Sequence, residues 1–160
     1  MTEFQLTRAE ELIECGDYKS AFAILYPLAL QGITKAQSLA ASMLFTGSHL
    51  LSEHPEWKSD DIAYKSDAGT ISSYNDQVDW HLVTTWLTNA SLDGDGFASF
   101  NLAQAYLMSK AGSSYTERRN RAKELLDLSQ QQGCYAFQSL LGTTMTVDEY
   151  ISIALPVQPG

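Results

Sequence analysis

Residues 21–47, AFAILYPLALQGITKAQSLAASMLFTG, contain the unit that decides the fold. Two alanine-rich apolar runs lie on either side of Gly32, and Gly47 closes the unit. The pattern returns 62 positions later (Ala21 to Val83) and again 39 positions after that (Val83 to Ala122). Recurrence at a fixed offset is typical of helical repeat proteins. The matching positions are Ala21, Leu25, Ala29, Gly32 and Ala36; then Val83, Leu87, Ser91, Gly94 and Ala98; then Ala122, Leu126, Gln130 and Gly133.

Apolar residues follow helical spacing along most of the chain, which predicts an all-α protein. Pro27 removes one hydrogen bond from the second helix and is expected to bend it, and Gly32 is expected to end it. Capping-box spacing, in which Ser or Thr precedes Glu by three positions, marks two helix starts, at Ser114 and Thr146. The predicted helices cover residues 4–15, 18–31, 34–46, 76–92, 97–110, 115–133, 135–141 and 147–155.

Residues 48–75 lack helical periodicity and are rich in acidic side chains. A connection of this length is uncommon in a compact domain unless it has a function or is disordered. We interpret this segment as an insertion between two repeat units, because it accounts for the difference between the two offsets. Its scattered apolar residues suggest that part of it packs on the repeats.

The formal charge of the 160-residue chain is −9, from 19 acidic and 10 basic residues. An acidic surface repels phosphate backbones, so nucleic acid is a poor general partner. The charge suits either a basic protein partner or solubility alone. The first residues do not form a signal peptide, and no apolar run is long enough to span a membrane. We therefore expect a cytoplasmic protein with no membrane partner. In a solenoid, Cys15 and Cys134 would lie too far apart for a disulfide, and both are expected to be reduced and buried.

The recurring unit resembles the Sel-like repeat, a helix-pair family related to tetratricopeptide repeats. The first helices match at 36–41, 98–103 and 136–141, and the second helices match at 25–32, 87–94 and 126–133. The resemblance covers about residues 17–142. The family glycine is replaced by Ala41, Ala103 and Leu141, so the last pair is expected to pack more widely. The resemblance implies one domain over 1–160, with a repeat core, the 48–75 insertion and a C-terminal capping helix at 146–155.

The resemblance further implies a right-handed α-α superhelix, a short solenoid, with a concave groove lined by the first helices. We call the groove positions carried over from the family the first-helix surface. They are Lys35, Ser38, Ser42, Phe45, Phe97, Phe100, Gln104, Met108, Tyr135 and Gln138. Its aromatic members at 97, 100 and 135 are either binding hot spots or packing residues under the insertion or the last helix.

Motifs for catalysis are not found in the sequence: it has no nucleophile elbow, phosphate-binding loop or zinc-protease helix. No cofactor, metal or catalytic residue is therefore assigned. His49 and His54 lie near acidic residues of the insertion, which leaves a metal-dependent hydrolase as a remote alternative. A basic cluster, Arg118, Arg119, Arg121 and Lys123, is predicted to pair with Glu124 and Asp127 on its own helix, with Asp127 four residues after Lys123, rather than to bind an anionic partner.

The pattern as a whole indicates a non-enzymatic protein-binding module. An adaptor that gathers proteins through the groove is the first hypothesis. The alternative is a bacterial immunity or inhibitor protein that sequesters a basic toxin or effector, an interpretation that the acidic charge and the insertion favour.

Overall fold

The computed structural model describes residues 2–46, 78–134 and 146–155, and all regular structure within them is helical. This confirms the all-α class. Seven helices lie in these residues: α1 Thr2–Glu14, α2 Tyr18–Leu30, α3 Thr34–Thr46, α4 Trp80–Leu92, α5 Gly96–Leu107, α6 Tyr115–Gln131 and α7 Val147–Ala154. The insertion at 48–75 and the predicted helix at 135–141 lie outside the described residues.

The chain divides into two compact units, Met1–Trp86 and Leu87–Gly160, with the division inside α4. In the first unit, α1 packs on α2 and α2 packs on α3. Two aromatic contacts bring in the first turns of α4. The Trp80 ring meets Phe45 edge to face at 5.5 Å, and the Trp86 ring meets Tyr26 in the same manner at 5.8 Å between ring centres. Such pairs add to the free energy gained from burying the rings themselves.

In the second unit, α5 packs along α6, and α7 packs on α6. The direction of α7 follows from two contacts. The Lys123 ammonium lies 3.1 Å from the Asp148 carboxylate, and the Tyr115 hydroxyl donates to the Leu155 carbonyl at 3.1 Å. Because the start of α7 meets the middle of α6 and its end meets the start of α6, the two helices are antiparallel. Ile151, fully buried, is the apolar anchor of α7.

The helix ends share one hydrogen-bonded motif. After α2, the Gly32 N–H bonds the Ala29 carbonyl at 3.0 Å and the Ile33 N–H bonds the Leu28 carbonyl at 3.2 Å. This double closure needs a left-handed residue, and Gly32 has φ +92°. The predicted stop at Gly32 is therefore confirmed. The same pair of bonds closes four other helices, at Gly16, Gly94, Ser109 and Gly133.

The helix starts are capped by side chains, as the sequence predicted for α7 and in part for α6. At α7 the box between Thr146 and Glu149 is complete. At α6 the Ser114 hydroxyl accepts from the Glu117 N–H at 3.1 Å, but the Glu117 carboxylate does not return to the Ser114 backbone. It accepts instead from the N–H and hydroxyl of Ser113, at 3.1 and 2.6 Å. The Ser114 hydroxyl and the Glu117 carboxylate thus accept from backbone N–H groups that would otherwise lack a partner at the helix start.

Two sets of matched positions have the same burial in α2, α4 and α6. Ala21, Val83 and Ala122 are all fully buried, and so are Leu25, Leu87 and Leu126. The glycines that follow, at 32, 94 and 133, all have positive φ. The two offsets read from the sequence therefore align these buried positions and the glycine-closed ends of α2, α4 and α6.

Three predictions need correction. The α4 helix begins at Trp80 rather than at residue 76, because the Asp79 side chain caps it by accepting from the Leu82 N–H at 3.1 Å. The α5 helix ends at Leu107 rather than Lys110, because Ser109 adopts φ 62° and closes the helix as glycine does elsewhere. Both cysteines are free thiols, but only Cys134 is buried, whereas Cys15 is exposed at the end of α1. Pro27 lies within α2 and does not end it, because the helix continues to Leu30.

Candidate protein-binding surfaces

On α3, the first-helix surface is only partly accessible. Lys35 is exposed, with its ammonium 3.5 Å from the Glu10 carboxylate of α1. Ser42 is half-buried, and Phe45 is half-buried against Trp80. Ser38 was predicted to face a partner, but it is buried, with 5% of its surface exposed.

The burial of Ser38 follows from how much of α3 is covered. Buried residues occur at 36, 37, 38, 40, 41 and 43, so they extend most of the way around the helix. A helix covered on several sides leaves a narrow exposed stripe, and Ser38 lies outside it. The α3 part of the predicted surface is therefore limited to its ends.

On α5, the first-helix surface is more open. Phe97 is 59% exposed and Met108 is 41% exposed, at opposite ends of the helix. Phe100 between them is half-buried. Gln104 lies under α7, where its Oε1 accepts a hydrogen bond from the Tyr150 hydroxyl at 3.2 Å. Its Nε2 is buried and has no hydrogen-bond partner among the described residues.

The remaining predicted positions are not described. Tyr135 and Gln138, the last two members of the first-helix surface, and the insertion histidines His49 and His54 all lie outside the described residues. Among the residues that are described, no group of three or more His, Cys, Asp or Glu side chains is placed to hold a metal ion.

A polar junction that the sequence did not reveal joins α4, α5 and the end of α6. Ser91 and Ser99 are buried with their hydroxyl oxygens 2.6 Å apart. The Ser99 hydroxyl donates to Oε1 of Gln132 at 2.6 Å, a shorter contact than the 3.3 Å to the Asp95 carbonyl. With its one proton used in this way, Ser99 accepts from the Ser91 hydroxyl. Gln132 in turn donates from Nε2 to the Ser91 carbonyl at 3.0 Å. The three side chains thus satisfy one another in a closed ring of bonds.

The same positions are bonded in the first unit. Ala29 and Gln37 stand 62 positions before Ser91 and Ser99, and the Gln37 Nε2 donates to the Ala29 carbonyl at 3.1 Å. In both hairpins a buried side chain on the first turn after the glycine bonds back to the preceding helix. The polar residues at the matched positions Gln37 and Ser99 are the sequence signal that could have identified the junction.

The basic cluster of α6 pairs within its own helix at Arg121, as predicted, but not at Lys123. Lys123 pairs with Asp148 of α7 rather than with Asp127. Arg121 pairs with Glu124 at 2.7 Å, and its guanidinium carbon lies 5.8 Å from the centre of the Tyr106 ring. Hydrogen bonding to Tyr106 and then to Glu124 raises the pKa of Arg121 above its already high ordinary value. The Arg121 guanidinium is therefore held in place between Glu124 and Tyr106.

A groove of about 370 Å³ lies between α4 and α6 in the second unit. We call it the α4–α6 groove. Its lining includes Thr88 and Leu92 of α4, Leu102 of α5, and Arg121, Leu125 and Leu128 of α6. Leu102 follows Phe97 by five residues, which is about 140° around a helix. The groove and the first-helix surface therefore lie on different sides of α5, and the prediction did not include the groove.

No protein-family model, curated protein or solved structure matches this chain. Of the described helices, none combines the length and apolarity that crossing a membrane requires.

Proposed function

We propose that this chain is a non-enzymatic protein-binding module, built as a short right-handed α-solenoid of the Sel-like class, which captures a protein partner on its first-helix surface. The solenoid is supported by the matching burial of Ala21, Val83 and Ala122 and by the shared closure at the glycines that follow. In a solenoid each helix pair is too small to bury its own apolar face and covers it with its neighbour.

The observation that carries the binding role is the exposure of Phe97 on α5. An aromatic side chain that is 59% exposed costs solvation free energy in the isolated chain. Aromatic residues are enriched among those that dominate binding free energy at protein interfaces. Phe100 and Met108 extend the apolar character of the same face, so a partner that covers α5 would bury all three side chains.

The formal charge of −9 defines the complementary chemistry of the partner. Opposite charge accelerates association and selects against other acidic proteins. A basic protein is therefore the expected partner. Adaptor is the first role that we assign, and the same charge argument supports the second candidate, an immunity or inhibitor protein against a basic toxin.

Substitution of Phe97 tests the proposal. The chain is immobilised and exposed to a lysate of its source cells, and retained proteins are identified by mass spectrometry and their affinities measured with purified material. Phe97→Asp is expected to weaken capture at least tenfold, because it places a charge in an apolar contact. Phe4→Asp is the matched control, because Phe4 is 73% exposed on α1 and is not part of the surface.

Equal capture by Phe97→Asp and the unmodified chain, with unchanged helical circular dichroism, would contradict the assignment of α5. A second measurement separates the two roles. An immunity protein must abolish the activity of the captured partner at stoichiometric concentration, whereas an adaptor leaves that activity intact.

A further inference from the structure

The α4–α6 groove lies at positions that match two packed aromatic rings in the contact between α2 and α4. In the first unit, Tyr26 of α2 and Trp86 of α4 pack edge to face at 5.8 Å. The offset of 62 maps Tyr26 onto Thr88, and the offset of 39 maps Trp86 onto Leu125. Both mapped residues line the groove.

The smaller residues at Thr88 and Leu125 account for the volume of the groove. Thr and Leu are much smaller than Tyr and Trp, so the α4–α6 contact lacks the side-chain volume that fills the α2–α4 contact. Protein interiors are close-packed, and a contact that loses two rings without a rearrangement leaves an opening. The groove volume of about 370 Å³ falls in the lower part of the range for small-ligand pockets, about 300–1,000 Å³.

The lining suits an aromatic ring. Leu102 and Leu125 are buried and form an apolar base, and Leu92 of α4 is 83% exposed beside them. Arg121 also lines the groove, and its guanidinium is held in place by the Glu124 carboxylate at 2.7 Å. A guanidinium close to an aromatic face is attracted to it by a cation–π interaction.

From these observations we infer that the α4–α6 groove is a binding site for an aromatic side chain, Trp or Tyr, presented by a peptide segment of another protein. The ring takes the space that Tyr26 and Trp86 fill at the matched positions of the first unit. The site does not rest on the first-helix surface, because it lies on a different side of α5 and Phe97 does not line it.

The site is tested with a single amino acid rather than an unidentified protein. N-acetyl-tryptophanamide is titrated into the ¹⁵N-labelled full chain at millimolar concentrations, and N-acetyl-leucinamide serves as the non-aromatic comparison. We expect saturable amide shifts at Thr88, Leu92 and Leu128 with the tryptophan probe, and at least fivefold weaker binding of the leucine probe. Absence of shifts at these amides, or equal binding of the two probes, overturns the inference.

Restoring the lost rings provides the second test. The variant Thr88→Tyr with Leu125→Trp is expected to fill the groove, to raise the thermal midpoint and to abolish binding of N-acetyl-tryptophanamide. Thr85→Tyr is the matched control, because Thr85 is exposed on α4 and does not line the groove. Undiminished binding in the folded double variant contradicts the assignment.

A conservative variant keeps the inference testable if the double variant does not fold. Leu92→Ala removes apolar surface from an exposed residue of the groove, so the fold is retained. Binding of N-acetyl-tryptophanamide is expected to weaken severalfold with an unchanged thermal midpoint. Unchanged binding in Leu92→Ala would place the probe outside the groove.

Discussion

The Tyr150 hydroxyl donates a hydrogen bond of 3.2 Å to Oε1 of Gln104, which attaches α7 to the middle of the α5 face predicted to bind a partner. The α7 helix runs antiparallel to α6, and its last turns therefore approach the start of α6 at Tyr115. The protein's own C-terminal helix thus lies against part of the first-helix surface. Among the described residues of that surface, Phe97 and Met108, at the two ends of α5, are the exposed apolar positions.

Tyr150→Phe is predicted to loosen α7. The change removes the bond to Gln104 but keeps the ring, so the expected loss is about 1 kcal/mol, the usual net value of one hydrogen bond. Amide exchange across Val147–Ala154 should accelerate about fivefold while α6 is unaffected. Ser152→Ala on the exposed face of the same helix is the control and should change exchange little. Equal exchange rates in Tyr150→Phe and the unmodified chain would show that the Gln104 bond does not hold α7.

Ser99→Ala is predicted to destabilise the second unit. The hydroxyl of Ser99 joins Ser91 to Gln132, so its removal leaves the Gln132 Oε1 and the Ser91 hydroxyl without their partners. Leaving a buried polar group unsatisfied costs about 1–3 kcal/mol. Urea denaturation should show a lower midpoint with an unchanged slope. Ser20→Ala, at an exposed position of α2, is the control, and an equal midpoint for the two variants would contradict the role of the junction.

Ser109→Gly is predicted to stabilise the chain. Ser109 has φ 62°, the left-handed conformation that a β-carbon disfavours by about 1–2 kcal/mol. Glycine relieves this strain but adds freedom to the unfolded chain, so the expected net gain is about 0.5–1 kcal/mol. Ser109→Ala is the matched control, because alanine keeps the β-carbon and should gain nothing. A thermal midpoint for Ser109→Gly at or below that of Ser109→Ala would refute this explanation of the α5 end.

Glu117 is predicted to make stability depend on acidity. The hydroxyl and then the N–H of Ser113 lower the pKa of the Glu117 carboxyl from its ordinary value of 4.5. A carboxyl whose folded pKa is lowered stabilises the fold fully above that ordinary value. The contribution is lost as the pH falls through the lowered pKa. The carboxylate is exposed, so the effect is small and is best measured directly.

The measurement is a ¹³C NMR titration of the Glu117 carboxyl. In Ser113→Ala the hydroxyl is removed and the N–H remains, so the pKa should rise part of the way towards 4.5. Glu117→Gln should remove this carboxyl's share of the loss of stability below that pH. A Glu117 pKa that does not move in Ser113→Ala would contradict the assigned cause.

The helical class and most helix bounds were predictable because they depend on local spacing and on glycine. The helix predicted over 34–46 was confirmed as Thr34–Thr46, since an apolar stripe and the preceding Gly32 mark its start. The end of α5 was wrong by three residues, because serine gives no signal for the left-handed conformation of Ser109. The position of Ser38 was wrong because periodicity identifies one buried face, and α3 is covered on more than one.

The α4–α6 groove was not predicted because it arises from the smaller size of the side chains at matched positions. Hydrophobic patterns treat Trp86 and Leu125 as equivalent, since both are apolar and buried. Only the sizes of residues at matched repeat positions distinguish a filled contact from an open one. The two offsets needed for that comparison, 62 and 39, were already contained in the sequence.

The contrast between the two cysteines has a practical consequence for labelling the protein. Cys15 is exposed and Cys134 is buried, and the chain contains no other thiol. A maleimide dye should therefore attach at the end of α1 without mutagenesis, because a buried thiol reacts far more slowly. The unaltered polypeptide thus provides its own attachment point for fluorescence reporters or surface tethering.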